Sequence, residues 1–162
     1  MSNIILGTGS YNNVKSGNRV SISGDGGLLV NFDGPSYKKL APRLFTYQEY
    51  SSKLEALKIL RRESLLYKEY RKLIEDKYID SYYETRLKDL NVDELLEVLR
   101  SKYGEEIILL CYEDIDMFCH RRIIADWIEL KTGIYIPEVV TEHSKVKRIE
   151  PIRYTERLKR YL

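Results

Sequence analysis

Residues 107–126, IILLCYEDIDMFCHRRIIAD, constrain the fold more tightly than any other stretch of the chain. Ile107, Ile108, Leu109 and Leu110 form an apolar run without polar alternation, which suits a strand covered on both faces. From His120 onward, Ile123, Ile124, Trp127 and Leu130 recur at helical spacing, and Gly133 follows as a C-terminal stop. Arg121, Arg122, Asp126 and Glu129 are expected mostly on the other faces of that helix. A buried strand that passes through a short acidic loop (Asp114, Asp116) into a helix is the building unit of a parallel sheet.

The flanking sequence extends this unit. Residues 91–103 read as a helix, with Asn91 as its cap, Glu94 in the first turn, Leu95, Leu96 and Leu99 as its buried stripe, and Gly104 as its stop. Residues 3–6 read as an opening strand, and Gly7, Thr8, Gly9 and Ser10 as a turn that exposes backbone amides and two hydroxyls to a phosphate. Residues 19–23 (RVSIS) alternate with period two and read as a second strand, ended by Gly24, Asp25, Gly26 and Gly27. Residues 134–140 suggest a last extended segment bent at Pro137. Between these pieces, residues 46–79 are helical, with Thr46 and Glu49 forming a capping box and a possible second helix over residues 63–78. The pattern predicts a single-domain three-layer α/β sandwich with a small, mostly parallel, Rossmann-like sheet and a helix-rich middle.

With 162 residues the chain is long enough to bury a core without disulfide staples. Its 27 Lys and Arg against 25 Asp and Glu leave no strong overall field for nucleic acid. No apolar run is long enough to span a bilayer and no signal-peptide pattern opens the chain, so a soluble, cytoplasmic protein is expected. In that compartment the two cysteines are expected as free thiols. Residues 1–140 are read as the α/β domain and residues 141–162 as a basic tail, holding seven Lys or Arg (145, 147, 148, 153, 157, 159, 160) against three Glu (142, 150, 156). The 14 tyrosines, many of them in the helical middle, are read as margins of the core rather than as a base-stacking platform.

Chemistry concentrates at the loop between strand and helix. Cys119 stands at a helix N-terminus, where the backbone dipole and neighbouring cations favour a thiolate. His120 is placed as an acid or base, while Arg121 and Arg122 with the free helix amides are placed to hold phosphate or carboxylate. Cys111 and Glu113 lie at the strand's C-terminal end, where open α/β sheets form ligand crevices. Cys111 is then a resolving thiol, or simply a small core residue, and Glu113 a general base. Two cysteines and one histidine, with His143 far along the chain, fall short of recognised zinc spacing, so no metal is expected.

These residues resemble the domain of unknown function 488 family. LLCYE at residues 109–113 and CHR at residues 119–121, followed by Ala125, Asp126 and Trp127, carry the resemblance; VSIS at residues 20–23, LAP at residues 40–42 and Tyr67 and Tyr70 follow in the same order of elements. It spans roughly residues 3–140. Many members continue after VSIS with basic or aromatic residues, where this chain has Gly24, Asp25, Gly26 and Gly27. The resemblance implies a compact α/β domain with a cysteine-containing site, mapped to Cys111, Glu113, Cys119, His120 and Arg121.

Three functions fit this reading. The first is an enzyme acting on a nucleotide or nucleic-acid component, with Cys119 as nucleophile and Arg121, Arg122, Thr8 and Ser10 binding phosphate. The second is a thiol redox protein using Cys111 and Cys119. The third is a non-catalytic module for a nucleotide or other anion. The expected partner is a phosphate-bearing small molecule or nucleic acid and not a membrane; the sequence indicates neither a cofactor nor an oligomeric state.

Overall fold

The computed structural model describes residues 4–162, so Asn3, expected to open the first strand, lies outside the described residues. The chain forms two compact units, one from the residues up to Ala41 together with Asp89–Leu162, the other from Pro42–Lys88. The first is mixed α/β. Its five strands are β1 (Ile5–Ser10), β2 (Asn18–Ser21), β3 (Ile107–Cys111), β4 (Glu138–Glu142) and β5 (Lys145–Ile149), in the order β2-β3-β1-β4-β5. The first four run parallel, and β5 pairs antiparallel with β4.

β3 is buried along its whole length because both faces are covered. Ile108 and Leu110 pack with Tyr11, Val14 and Val139 on one face. By alternation Ile107, Leu109 and Cys111 look the other way. Residues 11–17, which return the chain from the end of β1 to the start of β2, supply Tyr11 and Val14 to the first of these faces. Tyr11 is fixed there by hydroxyl contacts of 2.6 Å with both Ser21 and Ser23.

Gly7, Thr8, Gly9 and Ser10 are not a turn but the continuation of β1, paired with Ile108, Leu109, Leu110 and Cys111. The glycines answer a packing demand: a Cβ on Gly7 would meet Val139 Cγ1 at 2.6 Å, and one on Gly9 would meet Val14 Cγ2 at 2.4 Å and the Val139 carbonyl at 3.0 Å. Glycine that reads as flexibility in the sequence here permits a close approach to β4 and to the residue 11–17 segment.

Helix α3 (Val92–Tyr103) begins as expected, with the Asn91 side chain accepting from Glu94 N. Helix α4 (His120–Thr132) ends at Gly133 in the left-handed conformation. It is buried from His120 through Ile128 without a break, so Arg121, Arg122 and Asp126, expected on outer faces, are interior, while Glu129 is half-buried. The boundary placed at residue 140 falls inside β4, and the following residues fold onto the sheet as β5 and then a short helix, Thr155–Leu158, that buries Tyr154 and Leu158.

The second unit is helical. Helices α1 (Leu44–Ala56) and α2 (Leu65–Tyr82) are its two long helices, the second capped by Ser64 accepting from Tyr67 N and ending in a π-turn at Tyr83–Leu87. The capping box at Thr46 and Glu49 does not form. The helix starts earlier, after Pro42, and Thr46 sits inside it, buried and 2.5 Å from Ser81 Oγ. Among the described residues no helix is long and apolar enough to cross a membrane.

Candidate functional site

The C-terminal end of β3 and the N-terminus of α4 meet as the sequence predicts. Cys111 closes β3, Cys119 is the N-cap of α4, and both are free and only 3 % exposed. Glu113 joins them: its Oε2 lies 3.1 Å from Cys111 Sγ and 3.1 Å from Cys119 Sγ. His120 turns its Nδ1 to the same pair, 3.7 Å from Cys111 Sγ and 3.9 Å from Cys119 Sγ.

The histidine tautomer follows from its other side. Nε2 is 2.8 Å from the Ile22 carbonyl, and a carbonyl can only accept, so Nε2 carries a proton. Nδ1 therefore meets the sulfurs either as a lone pair or, in the imidazolium, as a second donor. Residue 22 lies just past β2, whose hydrogen bonding to β3 continues through Ile22 N to the Leu110 carbonyl. The sheet thus sets the ring's orientation.

Proton affinities in this cluster are driven apart. Burial pushes the Cys111 thiol up, and its contacts with Cys119 and Glu113 push it further. Burial acts on Cys119 in the same direction. There, the Cys111 hydrogen bond and the charges of Arg121 and His120 prevail and bring it well below the usual thiol range. Burial and the adjacent Cys119 charge raise Glu113 to about 7. His120 is disfavoured as a cation by burial, yet Cys119 and Glu113 lift it above its ordinary value. These directions favour a Cys119 thiolate beside a His120 imidazolium, with Cys111 holding its proton.

The arginines, expected as an anion clamp, make their hydrogen bonds within the fold. Arg121 donates from Nε and Nη2 to the Glu138 carboxylate, the shortest contact being 2.7 Å, and from Nη1 and Nη2 to the carbonyls of Glu113 (2.7 Å) and Asp114 (3.3 Å). Both partners of the ion pair are at most 2 % exposed. Arg122 donates to Thr8 Oγ1 at 2.8 Å and to Asp126 at 3.2 Å, and Thr8 donates onward to Glu138 at 2.6 Å. Ser10 Oγ accepts from Asn13 N. Arg121, Arg122, Thr8 and Ser10, the residues expected to bind phosphate, are all four buried and bonded within the protein. Arg121 and Thr8 are directed into the fold by the Glu138 carboxylate, which β4 supplies, and Arg122 by Thr8 and Asp126.

Glu138 is the residue that sequence reasoning missed. Its one signal is a lone acid at the start of an otherwise apolar segment, following two adjacent arginines that lack an evident partner. The Ile22 carbonyl, a backbone group, gives no sequence signal. The metal-ligand spacing that the sequence lacks is partly restored in space. The sulfurs of Cys111 and Cys119 and a ring nitrogen of His120 lie within 4.8 Å of one another, all three residues being buried.

No curated protein and no solved structure is similar enough to the chain to count as a match. The family model of the domain of unknown function DUF488 matches residues 39–128, a narrower span than the motifs suggest but one that holds the LLCYE and CHR motifs, and the chain belongs to that family.

Proposed function

We propose that this protein is a thiol–disulfide redox enzyme in which Cys119 is the attacking thiolate and Cys111 the resolving thiol. The observation that carries this reading is the approach of the two sulfurs to within 4.8 Å while both touch one carboxylate oxygen and face one imidazole nitrogen. Closing that gap to the ~2.05 Å of a disulfide takes side-chain rotation and a displacement of at most about 3 Å.

Cys119 Sγ attacks one sulfur of a small disulfide, the substrate S–S bond breaks, and the leaving thiolate takes the proton of the His120 imidazolium. Cys111 then gives its proton to Glu113 and attacks Cys119 Sγ. The mixed disulfide breaks, the internal disulfide forms, and the second leaving thiolate takes the proton back from Glu113 and departs as a thiol. Two electrons pass from the cysteine pair to the substrate. The depth of both sulfurs favours slender substrates over folded protein partners. Nucleotide chemistry, the other enzymatic reading, is less well supported, because the arginines that would hold the phosphate already donate to Glu138, Thr8, Asp126 and backbone carbonyls.

The test uses a small symmetric disulfide and mass analysis of the products. Wild type should end with a Cys111–Cys119 disulfide, Cys111→Ser should stop at a mixed disulfide on Cys119, and Cys119→Ser should form neither. Adduct formation that persists in Cys119→Ser, or a Cys111→Ser protein that traps nothing, overturns the assignment.

A further inference from the structure

We propose that Cys111, Cys119, His120 and Glu113 also form a binding site for a zinc-type divalent metal ion, a capacity beyond the redox reading. A tetrahedral zinc with bonds of ~2.3 Å to sulfur and ~2.0–2.1 Å to nitrogen or oxygen requires ligand atoms about 3.3–3.8 Å apart, about 3.6 Å for a sulfur with a nitrogen or oxygen and about 3.8 Å for two sulfurs. The distances from His120 Nδ1 to the two sulfurs are 3.7 and 3.9 Å, and those from Glu113 Oε2 are 3.1 and 3.1 Å. These four distances lie within about half an ångström of a coordination shell, and the two sulfurs, within 4.8 Å of each other, have to draw together by up to about 1 Å to complete it.

The surroundings support the same conclusion independently. A histidine that binds metal through one ring nitrogen ordinarily donates the other N–H to a carbonyl or carboxylate, which fixes the ring. His120 does this with Ile22 through Nε2, leaving Nδ1 for the ion. The loop that carries Glu113 is braced in turn, since Arg121 donates to the carbonyls of Glu113 and Asp114 and is itself held by Glu138. Two thiolates and an imidazole select zinc-like ions over magnesium or calcium, which prefer all-oxygen ligation. Asp114, the nearest other acid in the loop, has its carboxylate occupied by Asn13 and its own loop backbone. Coordination engages both sulfurs, so the metal-bound and disulfide forms exclude each other.

Cobalt(II) titration of the reduced, chelator-treated full chain under anaerobic conditions tests the site. The expected result is one Co2+ per chain, with the intense visible bands of tetrahedral coordination and a thiolate charge-transfer band, all abolished by one equivalent of Zn2+. Cys111→Ser and Cys119→Ser should each remove the charge-transfer contribution of one sulfur and weaken binding by at least tenfold. Glu113→Gln should weaken it by about tenfold or more, while Asp114→Asn should leave it unchanged. Far-ultraviolet circular dichroism verifies that each variant is folded. A weak octahedral spectrum, or binding unchanged in a folded Cys111→Ser or Cys119→Ser protein, overturns the proposal. The two readings fail separately: absent Co2+ binding with mixed-disulfide trapping intact rejects the metal site alone, and Co2+ binding without trapping rejects the redox enzyme alone.

Discussion

Glu138→Gln tests the buried scaffold most directly. The wild-type carboxylate accepts from Arg121 Nε and Nη2 and from Thr8 Oγ1. Glutamine keeps the shape and one acceptor oxygen, but it removes the negative charge and points an amide donor at groups that are themselves donors. Arg121, 1 % exposed, is then a buried cation without its carboxylate partner. Breaking a buried ion pair from one side costs about 3–5 kcal/mol, a fifth or more of the ~5–15 kcal/mol that a domain has in total. At about 2–4 °C per kcal/mol for a chain of this size, Tm should fall by roughly 6–20 °C. Guanidinium unfolding followed by the fluorescence of Trp127, the one tryptophan, buried in α4 beside the pair in sequence, reads the loss in the correct unit. Pairing Arg121→Met with Glu138→Leu should recover only part of it, because the carbonyls of Glu113 and Asp114 still lose their donor. A loss below 1 kcal/mol for Glu138→Gln, the size expected of an exposed pair, would refute the claim that this contact braces the site.

Gly9→Ala should destabilise by about 1–3 kcal/mol through overpacking against Val14 and the Val139 carbonyl, whereas Gly24→Ala, with nothing within 4 Å of its Cβ position, should leave the denaturation midpoint unmoved. Asn91→Ala removes the acceptor for Glu94 N and should cost about 1 kcal/mol in the same assay. Removing residues 150–162 exposes what Tyr154 and Leu158 cover and takes away the Tyr154 N–H donated to Asp126; at ~1.5–3 kcal/mol for each large apolar side chain, thermal unfolding should shift by several degrees, and an unchanged Tm would mean that this segment is not docked.

The elements around the site were legible because their signals are local. Apolar residues 107–110, the helical spacing from His120 and the stops at Gly104 and Gly133 each name an element without reference to the rest of the chain. Terms set by tertiary contact were not legible. Gly7 and Gly9 carry no local mark separating a turn from a strand pressed against Val139 and Val14. β5 was hidden because its turn places His143 and Ser144 at positive φ, 49° and 65°, where sequence reasoning looks for glycine or asparagine. The basic residues 145, 147 and 148 resembled a solvated tail, yet exposed lysines and arginines are also what an edge strand carries to discourage further pairing.

Adjacency in the sequence suggested that Cys119, His120, Arg121 and Arg122 act on one ligand. A helix turns by about 100° per residue, so consecutive side chains diverge, and the four do not converge on one point. Cys119 and His120 face the end of β3, with His120 anchored beyond β2; Arg121 reaches Glu138 on β4; Arg122 reaches Thr8 on β1. The positive charge of Arg121 still acts on Cys119 through space and helps hold it as a thiolate. Its hydrogen bonds, however, are already made. An anion entering here would have to displace Glu138 or two backbone carbonyls, at a cost comparable with breaking the ion pair, whereas a disulfide or a thiophilic metal needs only the sulfurs, the imidazole nitrogen and the Glu113 carboxylate that face one another.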